Sequence, residues 1–143
     1  MGVEENKAVL RRYYEEVFNK GDLSNWDEMV DKGYVMHLVG ADEPSVGLEG
    51  AKRVQQQRAL APDGRMTIED MAAEGDTISI RGKATGTHTG EFPGIQPTGK
   101  KFTRDFAAFY RFKDGKIIEG WALHNMLGFY QQLGLTPPGM APK

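Results

Sequence analysis

The chain has 143 residues, 39% hydrophobic and 27% charged, with a formal net charge of −2 and no cysteine. This suits one domain with one sizeable core. It excludes a disordered chain, the overall basic bias of a nucleic-acid or anionic-membrane binder, and any disulfide, thiolate nucleophile or cysteine metal site. No apolar run approaches the ~20 residues of a membrane span. The acidic start from Met1 to Asn6 lacks the apolar stretch of a secretory signal, which makes cytoplasm the default location.

In chain order, Glu4 to Asn19 predicts an amphipathic helix, with Val9, Leu10, Tyr13, Tyr14, Val17 and Phe18 at helical spacing and Gly21 placed to end it. Asp22 or Ser24 is positioned to cap a short second helix containing Trp26, Met29 and Val30. Tyr34 to Leu38 reads as a short strand. Gly50 to Ala61 reads as a third helix, Val54 and Leu60 facing inward and its glutamines and basic residues outward. From Met66 the period changes to two. Met66 to Ala73 and Thr77 to His88 predict strands joined at Glu74-Gly75-Asp76, and Lys101 to Phe112 and Lys116 to Asn125 predict a hairpin through Asp114-Gly115. Met126 to Leu133 closes the pattern as a short helix. Helices first and antiparallel strands afterwards is an α+β arrangement. A curved sheet with helices over its concave face encloses a cavity, and Gly82 and Gly86 suit the bends such a sheet needs.

The stretch Gly86-Thr87-His88-Thr89-Gly90-Glu91-Phe92-Pro93-Gly94-Ile95-Gln96-Pro97-Thr98-Gly99-Lys100, taken with Asp114-Gly115-Lys116 and Gln131-Gln132-Leu133-Gly134, resembles the SnoaL-like polyketide cyclase and ester cyclase family of the nuclear transport factor 2-like superfamily. Leu10-Arg11-Arg12-Tyr13-Tyr14 and Gly47-Leu48-Glu49-Gly50 extend the resemblance over nearly the whole chain. It implies a cone-shaped, curved antiparallel sheet with N-terminal helices closing a deep pocket. It also implies a single domain over residues 1–136 with a tail over 137–143, and activity without a cofactor. Cyclising members use an Asp and a His on neighbouring strands, and those positions fall here on Ala122 and Ala108. Where many members have an Asp four residues after the strand tryptophan, this chain has Asn125.

Alternation then sorts the strands into faces. One face carries Ile78, Ile80, Gly82, Ala84, Gly86 and His88; the next strand turns Phe102, Arg104, Phe106, Ala108, Tyr110 and Phe112 the same way; the last contributes Ile118, Gly120, Ala122 and His124. The candidate catalytic residues are His88 and His124 as bases and Arg104 as an oxyanion stabiliser, because imidazole titrates near neutrality and guanidinium holds an enolate, phenolate or carboxylate. Candidate pocket residues are His37, Tyr14, Phe18, Phe106, Ala108, Tyr110, Ala122 and Asn125, a set suited to a small hydrophobic or aromatic ligand. Each has a plainer reading beside it: His88 bonding a turn backbone, His124 buried for structure or at an interface, His37 satisfied in the core, Arg104 in an ion pair, Asn125 capping the last helix. The three histidines lack a metal-ligand spacing, so no metal is expected. Phe109, Trp121 and Leu123 share the opposite face and predict a homodimer packed through it.

Three functions fit. The first is a cofactor-free enzyme carrying out cyclisation, isomerisation, dehydration or lyase chemistry on a small aromatic or polyketide-like carbonyl compound. The second is a non-catalytic binding or accessory domain that has lost the acid/base pair. The third is an epoxide hydrolase or a scytalone-type dehydratase.

Overall fold

The computed structural model describes residues 2–39, 43–47, 49–90 and 95–136. The expected tail over 137–143 and the tip of the Gly86 to Lys100 stretch at 91–94 lie outside the described residues. Helix α1 (Val3–Tyr13) runs without a break into a π-helical segment (Tyr14–Asn19). Gly21 ends this segment in the left-handed region (φ 67°), its amide reaching the Val17 carbonyl. Helix α2 is shorter than its apolar pattern suggests (Trp26–Met29). Asp22 and Ser24 do not cap it: they bond to each other in a turn, and Val30 already belongs to strand β1 (Val30–Leu38). Strand β2 (Ser45–Val46), helix α3 (Glu49–Leu60), β3 (Arg65–Glu74), β4 (Thr77–Thr87), β5 (Lys101–Lys113), β6 (Lys116–His124) and α4 (Met126–Leu133) complete the chain. Among the described residues, no helix is long and apolar enough to cross a membrane.

The six strands form one curved, open sheet in the order β2-β1-β6-β5-β4-β3. The two predicted antiparallel pairs are present, Asp114 and Gly115 making the β5–β6 turn at positive φ. The sheet is not wholly antiparallel. β1 joins it beside β6 in parallel, Met36 opposite Gly120 and Leu38 opposite Ala122, and β2 adds to β1's other edge.

The inward face of β5 is the predicted one: Phe102, Arg104, Phe106, Ala108, Tyr110 and Phe112 are all buried. A register shift between Arg111 and Phe112 moves Ile117 from the expected outer face to the core opposite Phe112, where it is fully buried. A second shift, between Ile68 and Asp70 of β3, lies opposite Gly82. A Cβ on Gly82 would fall 2.3 Å from the Thr67 carbonyl oxygen and 2.6 Å from Cζ of Phe106. The missing side chain therefore lets the Phe106 ring cross the sheet at its bend.

The main core packs the inward sheet face against Leu10, Tyr13, Tyr14 and Val17 of the N-terminal helix and Trp26 and Met29 of α2. A smaller cluster of Leu60, Ala61, Phe102, Phe129 and Leu133 seats α4 at the far end of the sheet. β6 stops at His124, opposite Phe106, so the backbone of Thr103 has no strand beside it there. Gln132 replaces that strand: its Nε2 donates to the Thr103 carbonyl and its Oε1 accepts from the Thr103 amide, both at 2.7 Å. The helix then ends at Gly134 (φ 73°), with the Gly134 amide on Gln131 and the Leu135 amide on Tyr130. The Gln131-Gln132-Leu133-Gly134 motif is thus a clasp and a helix stop.

Candidate functional site

A cavity of about 330 Å³ opens between α3, α4 and the ends of β4, β5 and β6. Its apolar wall comes from Phe18, Leu38, Val54, Met66, Phe102 and Phe129. Its charged groups are all cationic. Arg53, Arg58, Arg65 and Arg104 line it, and no Asp or Glu does among the described residues. Two of these arginines are committed elsewhere: Arg58 donates to the carbonyls of Phe18 and Asn19 at the end of the π-helical segment, and Arg65 pairs with Glu15 at 3.1 Å. The other two have no carboxylate partner among the described residues. Arg104 lies over the Phe129 ring at 5.2 Å with its Nε buried and unbonded. Arg53 reaches Ser45 through Nη2, while its Nη1 is buried and unbonded. Burial pulls the Arg104 guanidinium down to about 10, which leaves it charged at neutral pH.

His124 stands at the end of β6, stacked on Phe106 at 5.5 Å, its Nδ1 buried and unbonded. Desolvation, with the charges of Arg104 and Arg53 adding to it, lowers the imidazole to about 4. The ring is neutral at physiological pH and keeps a lone pair for a proton.

Behind the main chamber lies a recess of about 40 Å³, bounded by Tyr13, Tyr14, Tyr34, Arg53, Tyr110, Ala122 and His124 among others. The Tyr14 and Tyr110 hydroxyls bond to each other at 2.7 Å. The Tyr34 hydroxyl has no partner in strict bonding geometry, although the Tyr13 hydroxyl is close enough to share a weak hydrogen bond with it. Burial raises Tyr14, Tyr34 and Tyr110 well above the ordinary phenol range and Tyr13 to about 12, so all four remain neutral. Ala122 and Ala108 face each other across β6 and β5, and Ala122 borders the recess. The small side chain of Ala122 leaves room in the recess that a larger one would fill.

Of the predicted residues, the structure brings together Arg104, His124 and Phe18 on the main chamber, with Tyr14, Tyr110 and Ala122 on the recess. Phe106 and Ala108 are buried beneath, Phe106 carrying the His124 and Tyr14 rings on its faces. His88 does not line either lobe. It is fully buried at the root of the loop after β4, where its Nδ1 accepts from the Thr98 amide at 3.2 Å. His37 is turned to the outer sheet face, 2.9 Å from Glu119 and stacked on Trp121 at 5.2 Å, because Tyr34 and Met36 take the inward positions of β1. Asn125 caps α4, its Oδ1 accepting from Gly128 at 3.0 Å. The sequence reading missed Arg53, Gln56, Gln57 and Arg58, which it placed outward. The signal was available: at 100° per residue, Arg53 and Gln57 share the helical face of Val54 and Ala61. Met126, Phe129 and Tyr130 of α4 were missed because a terminal helix carries no mark of where it docks.

This fold has close counterparts. The structure resembles a candidate hydroxylase, AclR, from Streptomyces galilaeus, at 29% identity and a TM-score of 0.83 over 99% of this chain and 87% of that one. It also resembles wild-type IdmH, a candidate polyketide cyclase from Streptomyces antibioticus, at 33% identity and a TM-score of 0.79 over 91% of this chain and 99% of the other. A candidate polyketide cyclase from Acidithiobacillus ferrooxidans matches at 27% identity and a TM-score of 0.81 over 94% and 98% of the two chains. Among curated proteins, none matches the sequence. The sequence profile of SnoaL-like polyketide cyclases matches residues 8–133, and the chain belongs to that family.

Proposed function

We propose that this protein moves a proton on a small aromatic or polyketide-like carbonyl compound without a cofactor, His124 accepting the proton and Arg104 stabilising the oxyanion that forms. The observation that carries this reading is the placement of a neutral imidazole and an unpaired, buried guanidinium on one apolar cavity wall. Imidazole takes a proton from carbon next to a carbonyl, and the electron pair moves onto the carbonyl oxygen beside Arg104. A base lowered to about 4 is weak before substrate binds. Part of that lowering comes from the two arginine charges. Negative charge growing on the substrate offsets them, so the imidazole gains basicity as the reaction proceeds. The product class, whether ring closure, isomerisation, dehydration or cleavage, follows from what the substrate does with the enolate.

A second reading is favoured by one observation. Ala108 and Ala122 stand opposite each other where the family resemblance places the acid and base, and a binding domain without chemistry would carry the same cavity. The hydrolase and dehydratase alternatives find less support. A hydrolase needs inward carboxylates, whereas Asp105 is turned outward to Lys83 at 3.7 Å. A two-histidine dehydratase needs His88 on the cavity wall.

Proton transfer can be read without knowing the product. Aromatic ketones and enolisable aromatic esters are incubated in deuterated buffer, and exchange at the α-carbon is followed by NMR. General base catalysis contributes roughly 10²–10⁴-fold, so His124→Gln should slow exchange by about that factor with the fold intact. Arg104→Lys should slow it as well, since a point charge does not reproduce the planar fork. Exchange that survives His124→Gln at full rate removes His124 as the base. Tight binding with no exchange supports the second reading.

A further inference from the structure

We infer that the recess behind the main chamber is a subsite for a planar oxyanion, and that the ligand of this protein is a flat aromatic body ending in a carboxylate or an enolised 1,3-dicarbonyl. The inference rests on the reading of the cavity as a small-molecule site and goes beyond it to the class of substrate.

It begins with buried polar groups. In folded proteins such groups are almost always bonded, and exceptions call for a physical account. Six buried side-chain atoms here lack a partner among the described residues: Asn6 Oδ1, Tyr34 Oη, Arg53 Nη1, His88 Nε2, Arg104 Nε and His124 Nδ1. Their distribution is not random. Tyr34, Arg53 and His124 all border the same recess, and Arg104 adds a fourth unpartnered atom in the main chamber. Arg53 and Tyr34 are donors, and His124 Nδ1 becomes one when the ring carries its proton there. No carboxylate borders the recess among the described residues, so nothing on the protein side answers the Arg53 charge. Three buried donors on the wall of one recess, one of them cationic, suit a pair of acceptor oxygens.

Size points the same way. A recess of about 40 Å³ takes a carboxyl-sized group and excludes a ring, whereas the 330 Å³ chamber in front of it takes the ring. Both lobes share Phe18, Leu38, Arg53, Val54, Met66 and His124, so one molecule can occupy the two. Ala122 on the recess wall permits this.

The assignment has a chemical consequence for His124. An oxyanion in the recess accepts from Nδ1–H and so selects that neutral tautomer. The lone pair is then on Nε2, the nitrogen left for the reacting proton. The ligand's own charge orients the base.

The test compares 2-naphthoate with 2-naphthamide, titrated into the full chain by isothermal calorimetry at pH 7.5. The two probes share shape and differ in charge. A charge-assisted hydrogen bond contributes about 1.5–3 kcal/mol, so the carboxylate should bind roughly 10- to 100-fold tighter than the amide. Arg53→Gln should bring the two affinities within about threefold of each other by weakening the carboxylate far more than the amide, and Tyr34→Phe should weaken the carboxylate several-fold. Residual amide binding together with a cooperative unfolding transition certifies an intact chamber in both variants. Equal affinity of the two probes for the unmodified chain overturns the oxyanion subsite and leaves the cavity reading standing. So does an Arg53→Gln variant that weakens both alike. Binding of neither probe at millimolar concentration overturns both.

Discussion

His124 makes the cavity sensitive to pH, and the sign follows from where its proton is held. Its ordinary value near 6.5 falls to about 4 in the folded chain, first through desolvation and then through Arg104 and Arg53. Between these values the unfolded chain binds a proton that the folded chain refuses, so acid favours unfolding. The stability associated with the neutral ring is complete above about pH 6.5 and is lost as pH falls from there towards 4. Its upper limit is about 3 kcal/mol. Urea unfolding at pH 7 and pH 4.5 should show a smaller loss for His124→Gln than for the unmodified chain; equal losses would mean that the ring is not desolvated as described. Arg104 cannot relieve its own burial by losing a proton at neutral pH, since its value remains about 10. A bound anion should therefore raise the melting temperature through the arginines, and uncharged analogues should do so less.

At the scale of the elements, two side-chain amides stand in for missing strands. Gln132 bonds the free backbone of Thr103, and Asn19 does the same for Met66, its Nδ2 on the carbonyl at 3.0 Å and its Oδ1 on the amide at 2.7 Å. Each ties a cavity-lining helical segment to an open edge of a strand. Gln132→Ala should lower stability by about 1–2 kcal/mol, because exposed backbone groups recover water bonds. Ligand affinity should fall further than stability suggests, since α4 carries Phe129 and Tyr130 into the cavity. Gly82→Ala should cost about 1–3 kcal/mol, the added carbon having nowhere to go beside the Thr67 carbonyl and Phe106. Chemical denaturation of both variants checks the two values. These elements also show what the sequence made legible. Period-two alternation placed all six inward residues of β5, because one face of that strand is buried from end to end. It failed at Ile117, where one extra residue reverses the face, and at His37, where parallel pairing with β6 sets an orientation that β1 alone does not encode. The site was half legible for a related reason. Arg104 and His124 sit on strands with a clear face, whereas Arg53 belongs to a largely polar helix whose buried side is marked by few apolar residues, Ala51, Val54 and Leu60.

At the scale of the whole molecule, the two sheet faces are unlike. The inner face is covered by helices. The outer one leaves Phe109 42% and Leu123 43% exposed, beside Trp121, which is held between His37 and Arg111. Apolar surface of this kind is expected to pair with a second copy, giving a homodimer by light scattering at micromolar concentration. Phe109→Asp or Leu123→Asp should shift the mass to that of one chain; a monomer before substitution counts against the pairing. The chain has only two tryptophans, and they fall on opposite sides of this division. Trp26 is buried with its ring 6.2 Å from Tyr34, directly behind the recess, while Trp121 lies on the outer face. Their emission is therefore an optical readout already sorted by compartment. Trp121→Phe leaves a single lamp behind the ligand chamber, and Trp26→Phe a single lamp on the surface where copies would meet. Occupancy can then be followed in the first variant and assembly in the second, with no label attached.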